Sequence, residues 1–286
     1  MTDEWLAGLM DEWDRNYNKR LRAEKMKCVP TYPPLYKRLF GVWCRHYAVY
    51  TKNLYSNAFP PFMEPLIFLV AVGLGIGKFI SGTVEGLQYI EFLATGLLMT
   101  SAMYTSAFEC SYGTFIRLEF DKVYDGMLAA PITAENLIVG EIIWAGTKGL
   151  FFSFAVLAVM LAFGVITSPY SAFTPIIGFA TGIMFAVLSL LVTSYVKNIN
   201  HFNFYFTGCL SPMFFFSGVI FSIGDLPESL RVVSELLPLT HTVRIVRMCC
   251  SETISPIILW DFAYVAIFTA FVGWFAIHRL RRRLVN

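Results

Sequence analysis

The chain has 286 residues, of which 56% are hydrophobic and 15% charged, with a formal net charge of +2. Soluble domains carry about 25% charged residues, so this composition excludes a disordered chain and a nucleic-acid binder with a basic stripe. Six cysteines without a C-x-x-C pair exclude a small disulfide scaffold and a zinc module, and what remains is a protein embedded in a membrane.

Residues 1–34 are polar and of mixed charge, with no apolar run of the kind that marks a secretory signal. They read as a cytoplasmic N-terminal extension. From residue 35 to 54, Leu35, Leu39, Val42, Trp43, Tyr47, Tyr50 and Leu54 recur at three- and four-residue spacing, with Lys37, Arg38, Arg45 and Lys52 opposite. A basic amphipathic helix of this kind lies in a membrane interface; a helix packed on a soluble partner is the plainer alternative. The segment 35–57 is thus set apart from a transmembrane domain over 58–286.

A hydrocarbon core about 30 Å thick needs about 20 apolar helical residues. Six stretches qualify, at about 62–80, 91–115, 137–163, 173–196, 202–222 and 257–278. The first carries Glu64 and Pro65 near its start and ends in the run from Gly73 to Lys78. That run is not a phosphate loop, because Val72 stands where the first glycine belongs and Phe79 follows the lysine. Close helix contact is the better account of its glycines.

Charged residues inside spans are costly. Glu109 lies about six residues from the inner end of the second span, and Glu141 and Lys148 sit two turns apart on one face of the third. The spacing predicts that Glu109 pairs with Lys148 or with a nearby backbone donor; partial solvation near the interface is the alternative. Between these spans, residues 121–130 form a short helix stopped by Pro131, with Tyr124 and Leu128, and Val123 and Met127, spaced four apart. Thr133 is placed to cap the third span, with Glu135 in its first turn. An apolar helix outside the membrane needs a protein surface over it, a partner's or the chain's own.

Beyond the fifth span, residues 224–256 read as a helical hairpin dipping back into the membrane. Asp225 caps a helix from Pro227 carrying Leu226, Leu230, Val233 and Leu237; Pro238 interrupts it, and Thr240 caps a second helix bearing Val243, Arg244, Val246 and Arg247. Cys249 and Cys250 read as two unrelated thiols rather than a strained disulfide. Seventeen Lys and Arg fall on the side holding both termini and the loops near 116–136 and 197–201, against four on the other. The positive-inside bias therefore places both termini in the cytoplasm. His46, His201, His241 and His278 are scattered, and no paired carboxylates or metal-ligand spacing accompanies them. The expectation is a chain with no catalytic residues, no metal and no nucleotide site of its own.

Three segments carry a family resemblance: the run from Tyr124 to Pro131 and Thr133, the run from Pro212 through Phe214, Phe215, Phe216, Ser217 and Gly218 to Phe221, and Leu226–Pro227 followed by Pro238, His241 and Arg244. Over residues 35–286 the chain resembles the integral-membrane subunit of type-2 ABC exporters, most of all the lipo-oligosaccharide, nodulation-type permeases. The resemblance implies an all-α polytopic protein of the inner membrane with six spans. It implies a homodimer bound to two copies of a separate ABC ATPase, with ATP and Mg held by that partner. Asp121, Tyr124, Asp125, Gly126, Met127, Leu128 and Pro131 would couple to the ATPase, and residues 35–54 would be the connecting helix beside them. Spans one, two and five would line the route, with Phe214, Phe215, Phe216, Ser217, Pro238, His241 and Arg244 at the gate. The cargo would be a glycolipid, oligosaccharide or lipid, aromatic rings suiting both sugars and acyl chains. A hydrophobic-drug efflux permease, a channel or passive scaffold, and a membrane-embedded lipid-modifying enzyme are the other readings.

Overall fold

The computed structural model describes residues 32–80, 82–253 and 255–285. Residues 1–31, most of the N-terminal extension read from the sequence, and Cys28 with them, lie outside the described residues. Among those described, the architecture is all-helical; the one extended pairing is an isolated bridge between Val84 and Leu87.

Helix α1 (Leu35–Lys52) forms from the expected amphipathic stripe, but that stripe divides in two. Val42 and His46 are buried and Trp43 Nε1 donates to Thr147 Oγ1 at 3.1 Å, whereas Leu35, Phe40 and Tyr47 point outward. One edge of the helix thus packs on the bundle and the other is uncovered. Helix α2 (Leu54–Phe68) runs on through a π-helical stretch, Leu69–Leu74. It begins eight residues before the expected position 62 and takes in Pro60, Pro61 and Pro65. Membrane helices tolerate such prolines where neighbouring groups satisfy the freed carbonyls. Most of its surface is uncovered.

Helix α3 (Tyr89–Phe108) is the centre of the bundle, with nearly every residue buried. Its first turn is closed by the Glu91 carboxylate, which accepts from the Gln88 N–H at 3.2 Å. It continues through two π-helical segments, Glu109–Gly113 and Ile116–Phe120. Helix α4 (Val123–Leu128) follows; it is six residues long instead of the ten expected over 121–130. Asp121 bonds back to Ile116 and Lys122 turns the chain with φ +52°, so both belong to the approach rather than the helix. Thr133 caps helix α5 (Ala134–Ala162) as expected, accepting from the Asn136 N–H at 3.2 Å. Helix α6 (Thr174–Tyr195) follows a 3-10 turn at Pro169–Phe173.

Helices α5 and α6 meet backbone to backbone at Gly149 and Gly178. A Cβ on Gly149 would stand 2.6 Å from the Gly178 carbonyl oxygen, so only glycine permits this approach. Hydroxyls tie α3 to the same pair: Ser106 donates to the Ala145 carbonyl at 3.0 Å and Thr193 to that of Cys110 at 2.9 Å.

The fifth expected span is a broken helix: α7 (Phe202–Tyr205), a π-helical stretch Phe206–Leu210, and α8 (Ser211–Phe216). It ends at Ser217 and Gly218 (φ +75°), short of the expected residue 222. Among the described residues four helices, Leu54–Leu74, Ala134–Ala162, Pro169–Tyr195 and Ile257–Leu284, have the length and apolarity to cross a membrane.

The hairpin is present with different caps. Pro227, not Asp225, precedes helix α9 (Glu228–Leu236), while Asp225 closes a 3-10 turn. Pro238 starts helix α10 (Pro238–Ser251) at its first position, where a missing N–H costs nothing. Thr240 does not cap it; its hydroxyl donates to the Ser234 carbonyl at 2.6 Å and so stitches the two helices. Helix α9 lies on the surface, whereas α10 is buried almost throughout, against α3 and helix α11 (Ile257–Val285). Arg247 explains how a charged residue enters that core. Its guanidinium donates to the Gly218 carbonyl at 2.8 Å and to Phe92 and Thr95 of α3, lies over the Phe92 ring, and pairs with Glu85 at 3.3 Å.

Candidate functional site

The π-helical turns of α3 bring Glu109 and Arg117 onto one side, facing α5. There Lys148 Nζ lies 2.8 Å from Glu109 Oε2, and Arg117 Nη1 lies 2.8 Å from Glu109 Oε1. Arg117 Nε reaches Glu141 Oε1 at 3.1 Å, and Thr114 donates to Glu141 Oε2 at 2.8 Å. The last donor to Glu141 is the Tyr124 phenol of α4. Lys148, Glu109, Arg117 and Glu141 thus alternate in sign, and the tyrosine of the short helix closes the row. Each buried charge has an opposite partner, and Arg117 and Glu141 have added hydrogen bonds, the condition under which burial is tolerable.

The expected Glu109–Lys148 pair is therefore present. Arg117 was read from the sequence only as a loop cation, and His46 only as a scattered histidine. The signals were the eight-residue offset from Glu109 to Arg117 and the placement of His46 among Val42, Trp43 and Tyr50 on the packing edge of α1.

His46 stacks on Trp144, with Nε2 3.4 Å from Glu141 Oε1 and no hydrogen bond between them. Burial lowers its imidazole to about 4 against the pull of the Glu141 carboxylate, so the ring is neutral near neutral pH and the contact is not an ion pair. The unfolded chain takes up this proton near pH 6.5 and the folded chain only near 4. Stability is therefore full above pH 6.5 and falls as pH drops towards 4. Unfolding free energy in detergent is expected to lose roughly 3 kcal/mol across that window, and His46→Gln to flatten the slope. An unchanged slope in the variant contradicts a neutral buried His46.

Glu109, Arg117 and Lys148 of this row form one wall of a cavity of about 880 Å³ between α1, α2 and α3. At the end near α4 it is polar, bounded by Arg45, Glu109, Arg117 and Lys148; deeper in it is aromatic, bounded by Phe68, Phe108, Phe206 and Phe214. Of the residues placed at a gate, Phe214 lines this cavity. Phe215 and Phe216 border a separate shallow groove, and Ser217 is buried beside the helix break. His241 and Arg244 hold the hairpin to α11. His241 lies 2.7 Å from Asp261 Oδ1 and 3.0 Å from the Glu235 carbonyl, stacked on Tyr264, and Arg244 reaches the same Asp261 oxygen at 3.1 Å. Pro238 begins the buried helix that carries them both.

The short helix α4 divides by face. Tyr124 is buried, and that burial pushes its phenol well above the ordinary value, so it acts as a donor anchored on Glu141. Asp121, Asp125, Gly126 and Pro131 are exposed and Met127 and Leu128 half-buried, and a side chain added at Gly126 would meet nothing within 4 Å. Tyr124 thus faces inward, and the open face is that of Asp125 and Gly126. The glycines near Lys78 end α2 in a 3-10 turn, Gly77–Phe79, with no preceding strand. Among the described residues no group of His, Cys, Asp or Glu is arranged to hold a metal, and Cys249 and Cys250 are free thiols.

Residues 37–250, three quarters of the chain, match the ABC-2 type transporter family. The chain belongs to the ABC-2 type transporter family. It is similar to Nodulation protein J of Sinorhizobium fredii (strain NBRC 101917 / NGR234), 31% identical over 247 residues that cover 86% of this chain and 94% of the relative. Nodulation protein J of Rhizobium meliloti (strain 1021) is 34% identical over 209 residues, covering 72% and 79%. The Inner membrane transport permease YadH of Escherichia coli (strain K12) is 24% identical over 205 residues, again covering 72% and 79%. As an ABC-2 protein the chain is the membrane-embedded permease subunit of an ABC exporter. The alternating charges then join the short α4 helix of a transport permease to its interior, and the amphipathic cavity lies beside that connection.

Proposed function

We propose that this permease works as a homodimer with two copies of a separate ATPase, which grip the exposed face of α4, and exports an amphipathic glycolipid, oligosaccharide or lipid. Six crossings of the cytoplasmic membrane, with α3 and the broken helix α7–α8 completing the set, put both termini and α4 in the cytoplasm. The basic residues gathered on that side support this orientation. The observation that carries the reading is the Tyr124–Glu141–Arg117–Glu109–Lys148 row, a rigid tie from an exposed short helix into the membrane interior. Force applied to α4 is passed to α3 and α5 without loosening the contact. The aromatic depth of the cavity also favours a second reading, a permease for hydrophobic drugs, which differs in cargo and not in mechanism.

Purifying the tagged permease with an ATPase encoded beside it tests this. A stoichiometric complex is expected, with ATP-driven transport lost in Gly126→Trp, a substitution that the open surface accommodates without harm to the fold. A permease that transports as a monomer with no ATPase would sink the proposal and favour a channel.

A further inference from the structure

Arg45 is the one cation on the cavity wall that forms no hydrogen bond or ion pair among the described residues. It lies on α1, half-buried, at the mouth of the cavity. The other two wall cations are spent: Lys148 on Glu109, and Arg117 on Glu109 and Glu141. Burial, and then the like charge of Arg117, lower the Arg45 pKa from its ordinary value against the smaller opposing pull of Glu141, Tyr124 and Asp121, none of which is directly paired with it. A partly desolvated cation lacking a counter-ion is costly, and an anion at the same place removes the cost. Tyr50 and Thr105 line the same wall, with their hydroxyl oxygens buried away from it. Beyond them lie Phe68, Phe108 and Phe214. Of the acidic side chains on the wall, Glu109 is taken up by two cations, Asp121 is exposed at the rim, and Glu64 lies ten residues into α2, about 15 Å along its axis.

We infer that the cavity binds an amphipath by its anionic headgroup, of phosphate or sulfate monoester type, with the anion on Arg45 and the apolar chain against the phenylalanines. This rests on the cavity being part of the transport route, and it adds a charge requirement to the class of cargo. The guanidinium suits such a group because its fork of donors matches the anion's oxygens. Helix α1 lies at the membrane interface, the depth at which an amphipath carries its charge.

The test uses the permease–ATPase complex in phosphatidylcholine nanodiscs, with tryptophan fluorescence, to which Trp144 on the cavity wall contributes, reporting binding and ATP turnover reporting coupling. Dodecyl phosphate is expected to quench saturably, with half-saturation raised at least tenfold in Arg45→Gln and less in Arg45→Lys. Dodecyl maltoside, uncharged and of equal chain length, is expected to bind equally to both proteins, which also shows that Arg45→Gln keeps the cavity intact. Inorganic phosphate is expected to give no response below about a hundred times the dodecyl phosphate concentration. Equal dodecyl phosphate binding by wild type and Arg45→Gln overturns the inference, as does inorganic phosphate binding as tightly as the lipid, which marks a free-anion site. If dodecyl phosphate binds through Arg45 yet neither amphipath alters ATP turnover, the anion site stands and the transport-route reading fails.

Discussion

Glu141→Ala is expected to destabilise the folded permease by about 3–5 kcal/mol, the cost of removing one partner from a buried ion pair. Glu141 is almost fully buried and accepts from Thr114, Arg117 and Tyr124. Without it, Arg117 keeps only Glu109, which Lys148 already shares, and two hydroxyls lose their acceptor inside the bundle. A buried unsatisfied donor costs about 1–3 kcal/mol, and here the losses coincide. Chemical unfolding in detergent measures the effect. Glu141→Gln keeps an acceptor and loses the charge, so it falls between wild type and alanine. The double variant Glu141→Leu with Arg117→Met recovers much of the loss, because removing both charges leaves no uncompensated ion. Wild-type stability in Glu141→Ala would show that the row contributes nothing to the fold. Function has its own readout: with α4 untethered, ATP turnover in the complex continues while transport falls.

The second large effect is steric. Gly149→Val places its Cβ 2.6 Å from the Gly178 carbonyl oxygen and 3.1 Å from the Gly182 Cα, all backbone atoms of α6 that no rotamer change moves aside. Overpacking typically costs 1–3 kcal/mol and sometimes more, and about 3 kcal/mol is expected here, with α5 and α6 forced apart. Gly178→Val meets the same wall from the other side, its Cβ falling 2.0 Å from Ser153 Oγ. Gly208→Ala is the control: nothing stands within 4 Å of the added carbon, and its unfolding midpoint is expected to match wild type. Thermal midpoints and protease resistance of membrane-embedded protein read all three. A normal midpoint in Gly149→Val would mean that the two helices do not touch there.

What could be read from the chain was whatever is encoded over one or two turns. Thr133 three residues before Asn136 gives a cap, and Pro131 stops what precedes it. The stripe through Val42, Trp43 and Tyr50 gives α1. Glu109 and Lys148 were legible as partners because each is an ionisable residue in an apolar run and neither can stay alone there. Even so, the limits of elements resisted: α2 begins at Leu54 and runs through its three prolines, and α10 begins at Pro238 because the chain has already turned at Leu237.

Arg117 shows where local reading ends. It is eight residues from Glu109 and 24 from Glu141, and whether it faces water or the bundle depends on the π-helical turns that rotate the end of α3. Hydropathy assigns it to a loop. The hairpin cluster is similar: nothing near His241 announces Asp261, twenty residues on, which becomes its partner only when α10 packs on α11.

Apolar length, helix stops and the membrane-permease class were settled by the amino-acid order itself, since each follows from residues within a few turns or from sums along the chain. Which charges meet, which half of α1 is covered, and that Tyr124 faces inward while Gly126 faces out were decided by packing. Those facts depend on helix rotation and contact between segments far apart in the chain, and a one-residue turn of about 100° reverses them.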